Sequence, residues 1–192
     1  MNVIPPGHPY WHVRRVLASS GDVDRVTFSF YKYREREISD KRVVRNFSLN
    51  EFCDESFVSK LMRGVPASQE MAFHGTVGCR GQLAVLPMVD MATGKIHKIQ
   101  KIGHVGGFFE SHLMQRINWY DSGRSFHGYG DALISHEHWH KMMGLLLLLN
   151  APGAEPIVDP RWVGHRLLAG YATLRWTCNS DYYVKTPELL AI

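Results

Sequence analysis

The chain has 192 residues, of which 45% are hydrophobic and 21% charged, and carries a formal net charge of +4 with 11 histidines. This is the composition of a soluble globular protein with material for one proper core, and it excludes fibrous and low-complexity classes. The mild positive charge permits an anionic partner without demanding one, and the leucine run at 145–149 is too short to cross a bilayer.

The three cysteines, Cys53, Cys79 and Cys178, form an odd set without metal-ligand spacing. Reduced thiols in a cytoplasmic protein are the expectation. Residues 1–6 lack the basic start and apolar core of a secretory leader.

In chain order, the prolines before residue 10 predict an extended arm. Residues 11–17 are expected to form a strand. Residues 23–33 place Val26, Phe28 and Phe30 at a period of two, a second strand, with residues 42–47 as its antiparallel partner. Arg14, Arg15, Arg34, Arg36, Arg42 and Arg45 cluster here. Glu35, Glu37 and Asp40 are interleaved with them, which predicts a solvated, salt-bridged face.

Ser48 and Glu51 form a capping-box pair that opens a helix to about residue 62. Phe52, Val58 and Leu61 share one side of it, and Gly64 and Pro66 close it. Residues 71–77 and 82–91 read as strands around a turn at 78–81. A basic segment follows at 95–105, then a break at Gly106-Gly107.

Residues 118–130 predict a hairpin turning at Asp121-Ser-Gly123. Ser135 caps a helix to about residue 150 in which 145–149 is expected to be a buried run; Ala151-Pro-Gly153 ends it. A short strand at 157–159, a helix opening at Asp159 or Pro160, and a last strand at 172–177 complete the chain. The expected fold is α+β, mainly antiparallel sheets with packed helices, in a single domain over 1–192.

Two acidic residues stand at strand ends on either side of a Ser-x-His turn. Asp90 ends an apolar run, where a carboxylate costs desolvation unless it is paired with a cation or hydrogen-bonded. Asp159 follows Ile157-Val158 and precedes Pro160. Asp159 is equally a helix N-cap, and Asp90 a turn residue before Thr93-Gly94. Between them, Ser125 and His127 fall on one strand face beside Arg124, whose planar fork suits phosphate. Carboxylates beside phosphate donors are what a magnesium–triphosphate site requires. A separate pattern, His136-Glu-His-Trp-His140, matches H-E-x-x-H and raises a zinc-hydrolase alternative with Glu137 as base. No third ligand follows at a familiar interval, and a polar helix start accounts for the same residues.

The ordered set Asp90, Ser125-Phe-His127, Val158-Asp159 and Leu174-Arg175-Trp176 resembles the archaeo-eukaryotic primase superfamily, the primase–polymerases, over residues 70–180. The resemblance implies an RRM-like primase–polymerase core. It implies a nucleotidyltransferase using Mg2+ or Mn2+ and nucleoside triphosphates on a DNA or RNA template, with a helicase or other protein subunit as a further partner and no membrane. Asp90 and Asp159 would hold the metal, with His127 joining them as catalytic residues. Arg124, Ser125, His127 and Arg175 would contact the triphosphate, and His165 and Arg166 would line the same groove.

One departure stands out. The first motif reads Asp90-Met-Ala92, with one carboxylate where the family pattern has two. Glu110 or Asp121 is the candidate substitute. The same departure raises the alternative of a catalytically weakened nucleotide- or nucleic-acid-binding subunit of a replication or defence complex.

Overall fold

The computed structural model describes residues 4–34, 37–38, 41–103 and 117–191. Glu35, Arg36, Asp40, the break at Gly106-Gly107 and Glu110 lie outside the described residues.

The first element corrects the expected strand at 11–17. Helix α1 spans Pro9–Ser19, with Pro at its first turn and His8 as N-cap accepting from the Tyr10 amide. Proline presets the helical φ, and Tyr10, Val13, Val16 and Leu17 then recur at helical spacing on the buried face. The β-branched residues that suggest a strand are overridden by this start signal and by packing.

The larger sheet is built around β1 (Val23–Tyr31). β2 (Arg42–Ser48) pairs antiparallel along its whole length. β3 (Glu70–His74) and β4 (Thr76–Cys79) follow one another along the opposite edge of β1. They are parted at Gly75, where a Cβ would sit 2.7 Å from the Leu86 carbonyl oxygen. β5 (Gln82–Val85) returns from β4 through Arg80 and Gly81, both at positive φ, as a two-residue hairpin turn requires. β9 (Thr173–Arg175) pairs with β3.

Between β2 and β3 the expected single helix is two, α2 (Leu49–Cys53) and α3 (Glu55–Arg63). The Ser48–Glu51 capping box is present, but Asp54 leaves helical ψ and its side chain caps α3 through the Ser56 amide.

The second sheet has the order β10-β7-β8-β6, from β6 (Met88–Asp90), β7 (Ile117–Asp121), β8 (Phe126–Gly130) and β10 (Glu188–Leu189). A 3-10 turn (Ile96–Lys98) and short helix α4 (Ile99–Gly103) follow β6. Helix α5 (His136–Leu148) is capped by Ser135 as expected, and α6 (Pro160–Ala169) by Asp159. The leucine run of α5 is not buried throughout, since Leu148 is 80% exposed and only Leu146 is fully inside. Helical rotation turns consecutive leucines to different sides.

An aromatic core of Tyr10, Phe28, Phe52, Phe73 and Trp176 joins α1 and α2 to the larger sheet. The Phe73 and Trp176 rings stack at 5.0 Å. Trp176 also donates its indole N–H to the Tyr129 hydroxyl at 3.0 Å, tying the two sheets together. The fold is α+β with antiparallel sheets, consistent with a primase-like core. Among the described residues no helix is long and apolar enough to cross a membrane.

Candidate functional site

Strand register brings the first two functional candidates together. Asp90 and His127 are direct partners across β6 and β8, so their side chains share a face. His127 Nε2 lies 3.8 Å from Asp90 Oδ1. The third candidate arrives through the backbone. Met91 and Val158 form an antiparallel bridge, and the Asp159 amide donates to the Asp90 carbonyl at 2.9 Å. Segments distant in sequence thus deliver Asp90, His127 and Asp159 to one cleft of about 300 Å³, which Ala72, His165, Arg166, Leu174 and Arg175 also line.

Asp159 fills both roles open to it. Its Oδ1 accepts the Arg161 amide at 2.8 Å and the Trp162 amide at 3.2 Å, which starts α6. The capping bonds use that one oxygen, and the residue still borders the cleft. Among the described residues no amide or hydroxyl donates to the Asp90 carboxyl. The Asp90 side chain keeps 22% exposure, and the His127 ring stands 3.8 Å from it. Burial first, and the Asp159 charge second, push its carboxyl up to about 8, against the opposing pull of Arg175 and Arg166. His127 is buried, and desolvation, then the Arg175 charge, hold it well below its ordinary value. A neutral imidazole therefore faces a carboxyl that keeps its proton near neutrality. The His127 Nδ1 atom is buried without a hydrogen-bond partner among the described residues.

Arg175 is committed elsewhere. Its guanidinium donates to the carbonyls of Thr177, Lys185 and Ser122, and it lies 4.0 Å over the Tyr183 ring. Only its Nε is buried and unpartnered. The residue clamps the 177–185 segment to the turn of the β7–β8 hairpin and is also among the residues that line the cleft. Arg166 donates to the Thr173 hydroxyl at 2.9 Å and reaches the cleft beside it.

Ser125 and Arg124 are not brought to the cleft wall. The Ser125 hydroxyl sits 3.2 Å from that of Ser122 inside the hairpin turn, and Arg124 lies 4.7 Å over Tyr182. The turn folds back on itself before strand alternation begins at Phe126, so a shared face with His127 does not extend to Ser125. Asp121, the described candidate for the missing carboxylate, is also elsewhere: it accepts from the Gly123 amide at 2.8 Å and pairs with Lys185 at 3.2 Å.

The donor set suits one oxygen-preferring divalent cation. Asp90 and Asp159 repel one another, and the orphaned His127 nitrogen is a further polar group in need of a partner. A two-metal arrangement normally requires more oxygen ligands than these. Among the described residues no group of three His, Cys, Asp or Glu side chains forms a ready-made metal cluster. On α5, His136 Nε2 contacts the Gly170 carbonyl at 3.2 Å, His140 Nδ1 the His136 carbonyl at 3.0 Å, and Glu137 pairs with Lys141.

Sequence reasoning missed the outer wall. Lys32, Tyr33, Arg34, Lys41, Arg42 and Arg161 line the same cleft. Arg34 does pair with Glu37 at 3.0 Å, as a salt-bridged face predicts. The strand-like alternation Tyr31-Lys-Tyr-Arg34 is the available signal that basic and aromatic residues continue beyond the strand.

Searches of curated proteins and of solved structures return no match. The family model for archaeo-eukaryotic primase 1D-like proteins matches residues 49–188, which contain every element of the inner cleft from Ala72 to Arg175. On that match, over well more than half its length, the chain belongs to the archaeo-eukaryotic primase-like family.

Proposed function

We propose that the inner cleft binds the triphosphate of a nucleoside triphosphate with Mg2+ or Mn2+ and carries out nucleotidyl transfer on a nucleic-acid template. The observation that carries this reading is the convergence of Asp90, His127 and Asp159 on one cleft that also receives Arg166 and Arg175. A divalent cation held by Asp90 and Asp159 would neutralise triphosphate charge. The chain's own groups supply the rest. His127, kept neutral by burial, offers an N–H to a phosphate oxygen without an imidazolium having to be desolvated. The Arg175 and Arg166 guanidinium groups add positive potential, which the partly dry setting strengthens. Because Asp90 holds a proton in the absence of a cation, cation binding is expected to release about one proton near neutral pH.

The lone carboxylate of Asp90-Met-Ala92 favours a second reading, in which the domain binds nucleotide or nucleic acid as a subunit of a replication or defence complex without transferring anything. Incorporation of labelled nucleotides on a primed and an unprimed template with manganese separates the two. Template-dependent extension lost in Asp159→Asn supports transfer. Manganese-dependent triphosphate binding without extension leaves the binding subunit. Absence of both removes the nucleotide reading.

A further inference from the structure

Strand β2 is an edge of the larger sheet. Its partner among the described residues is β1 alone, and their register runs from Arg25–Ser48 to Tyr31–Arg42 without a shift. Edge strands are commonly blunted by a proline or a bulge, because their outward backbone groups are open to another chain. β2 has neither. It also holds two valines in water, Val43 at 57% and Val44 at 48% exposure. A groove of about 590 Å³ lies between this strand and α3. Phe30, Val43, Phe57 and Leu61 give it apolar walls. Its charged lining residues, Arg45 and Lys60, are both cations, with no carboxylate beside them. Arg45 lies over the Phe30 ring at 5.3 Å, and neither cation has an ion pair among the described residues. The groove shares no lining residue with the cleft that holds Asp90.

Strand alternation sets what fits this edge. Val43, Arg45 and Phe47 fall on one face of β2, opposite Phe30, Phe28 and Val26 of β1. That face reads apolar, cationic, apolar at steps of about 6.8 Å. A strand added to the edge stands opposite the same three residues. The complementary pattern is apolar, any, acidic, any, apolar, and it is the same read in either direction. A second copy of this chain does not supply it, because β2 paired with itself about its midpoint sets Arg45 against Arg45. We propose that the β2 edge and its groove bind an extended acidic segment of another protein, which joins the sheet as a further strand. Its backbone pairs with β2, its acid meets Arg45 and Lys60, and an apolar side chain enters the groove beside Phe57 and Leu61. Nucleic acid would satisfy the two cations but not the open backbone edge. This docking is independent of the nucleotide reading.

The test is selection of a displayed library of random peptides on the full chain, followed by fluorescence anisotropy of a labelled peptide of the enriched sequence. The enriched sequences should carry the apolar-x-acid-x-apolar pattern. Arg45→Glu with Lys60→Glu, both on exposed side chains, should weaken binding at least about tenfold. The same peptide with lysine in place of its acid should prefer that doubly reversed chain to the wild type. Methylating alternate backbone amides of the peptide should abolish binding in one register and spare it in the other, since one set alone enters the ladder. Asp159→Asn should bind the peptide as tightly as the wild type, which keeps this result separate from the fate of the nucleotide reading. Failure to enrich any peptide, enrichment without the acid, or equal affinity for the doubly reversed chain overturns the proposal. So does binding of oligothymidylate that the same reversal abolishes while no peptide is enriched. A wild-type dimer that Val44→Lys splits would make the edge a self-interface and also overturns it.

Discussion

Two carboxylates at strand ends, buried Glu70 and half-buried Asp90, are treated in opposite ways. Glu70 at the start of β3 is fully enclosed and accepts four hydrogen bonds, from the Thr177 hydroxyl at 2.5 Å, the amides of Asn179 and Ser180 at 2.9 Å each, and the Ser180 hydroxyl at 2.8 Å. Asp90 at the end of β6 faces a neutral imidazole 3.8 Å away, too far for a hydrogen bond, and a second acid beside it. The chain is able to satisfy a buried carboxylate when the purpose is to lock a loop to a strand. Where one is left unsatisfied, next to a histidine nitrogen without a partner among the described residues, the arrangement costs stability.

The largest effect that sharpens this contrast is expected at the satisfied acid. Glu70→Ala leaves four buried or half-buried donors without an acceptor and should cost about 3–5 kcal/mol in denaturant unfolding. The unsatisfied acid should behave differently, and its effect is in the pH profile. Its folded value is raised above its unfolded one, so its contribution is fully present below about pH 4 and is lost as pH rises to about 8. Within that window the folded state holds a proton that the unfolded chain has released. Stability then falls with pH by up to about 1.4 kcal/mol per unit, reduced by the partial solvent access of the side chain. Asp90→Asn should flatten this slope in metal-free buffer. An unchanged slope would place the carboxyl in an ordinary environment and erase the comparison.

Smaller effects follow. His127→Ala should weaken manganese–triphosphate binding by about 1.5–3 kcal/mol, the worth of one hydrogen bond to a charged oxygen. A drop in melting temperature with unaltered binding would make His127 a core residue only. Ser125→Ala should change triphosphate affinity by less than about 0.5 kcal/mol, because its hydroxyl is turned toward Ser122 rather than the cleft. A large loss there would mean that the hairpin turn rearranges around the ligand.

Much of the inner cleft is legible in the sequence because strand periodicity and end positions are local signals. Asp90 and Asp159 each follow apolar residues, and the hairpin at 118–130 fixes where His127 falls. The pairing of Asp90 with His127 and the bridge between Met91 and Val158 are non-local, and order along the chain alone suggests them. Ser125 is misplaced by sequence reasoning because strand alternation does not hold inside a turn. Helix α1 is missed because Trp11, Val13 and Val16 favour strands in isolation, while Pro9 and the His8 cap decide otherwise. The cationic outer wall of the cleft reads as solvated surface because carboxylates interleave with its arginines. Only the fold shows that Lys32 and Lys41 have no such partner among the described residues.

The central claim is that Asp90 is left unsatisfied in order to hold a cation with a nucleotide. Isothermal titration of manganese with a nucleoside triphosphate into wild type and Asp90→Asn, in buffers of different ionisation enthalpy, tests it most directly. The account predicts binding by wild type with uptake of close to one proton by the buffer near pH 7, and at least tenfold weaker binding without proton release in Asp90→Asn. Equal affinity and equal proton release in the two proteins would contradict it.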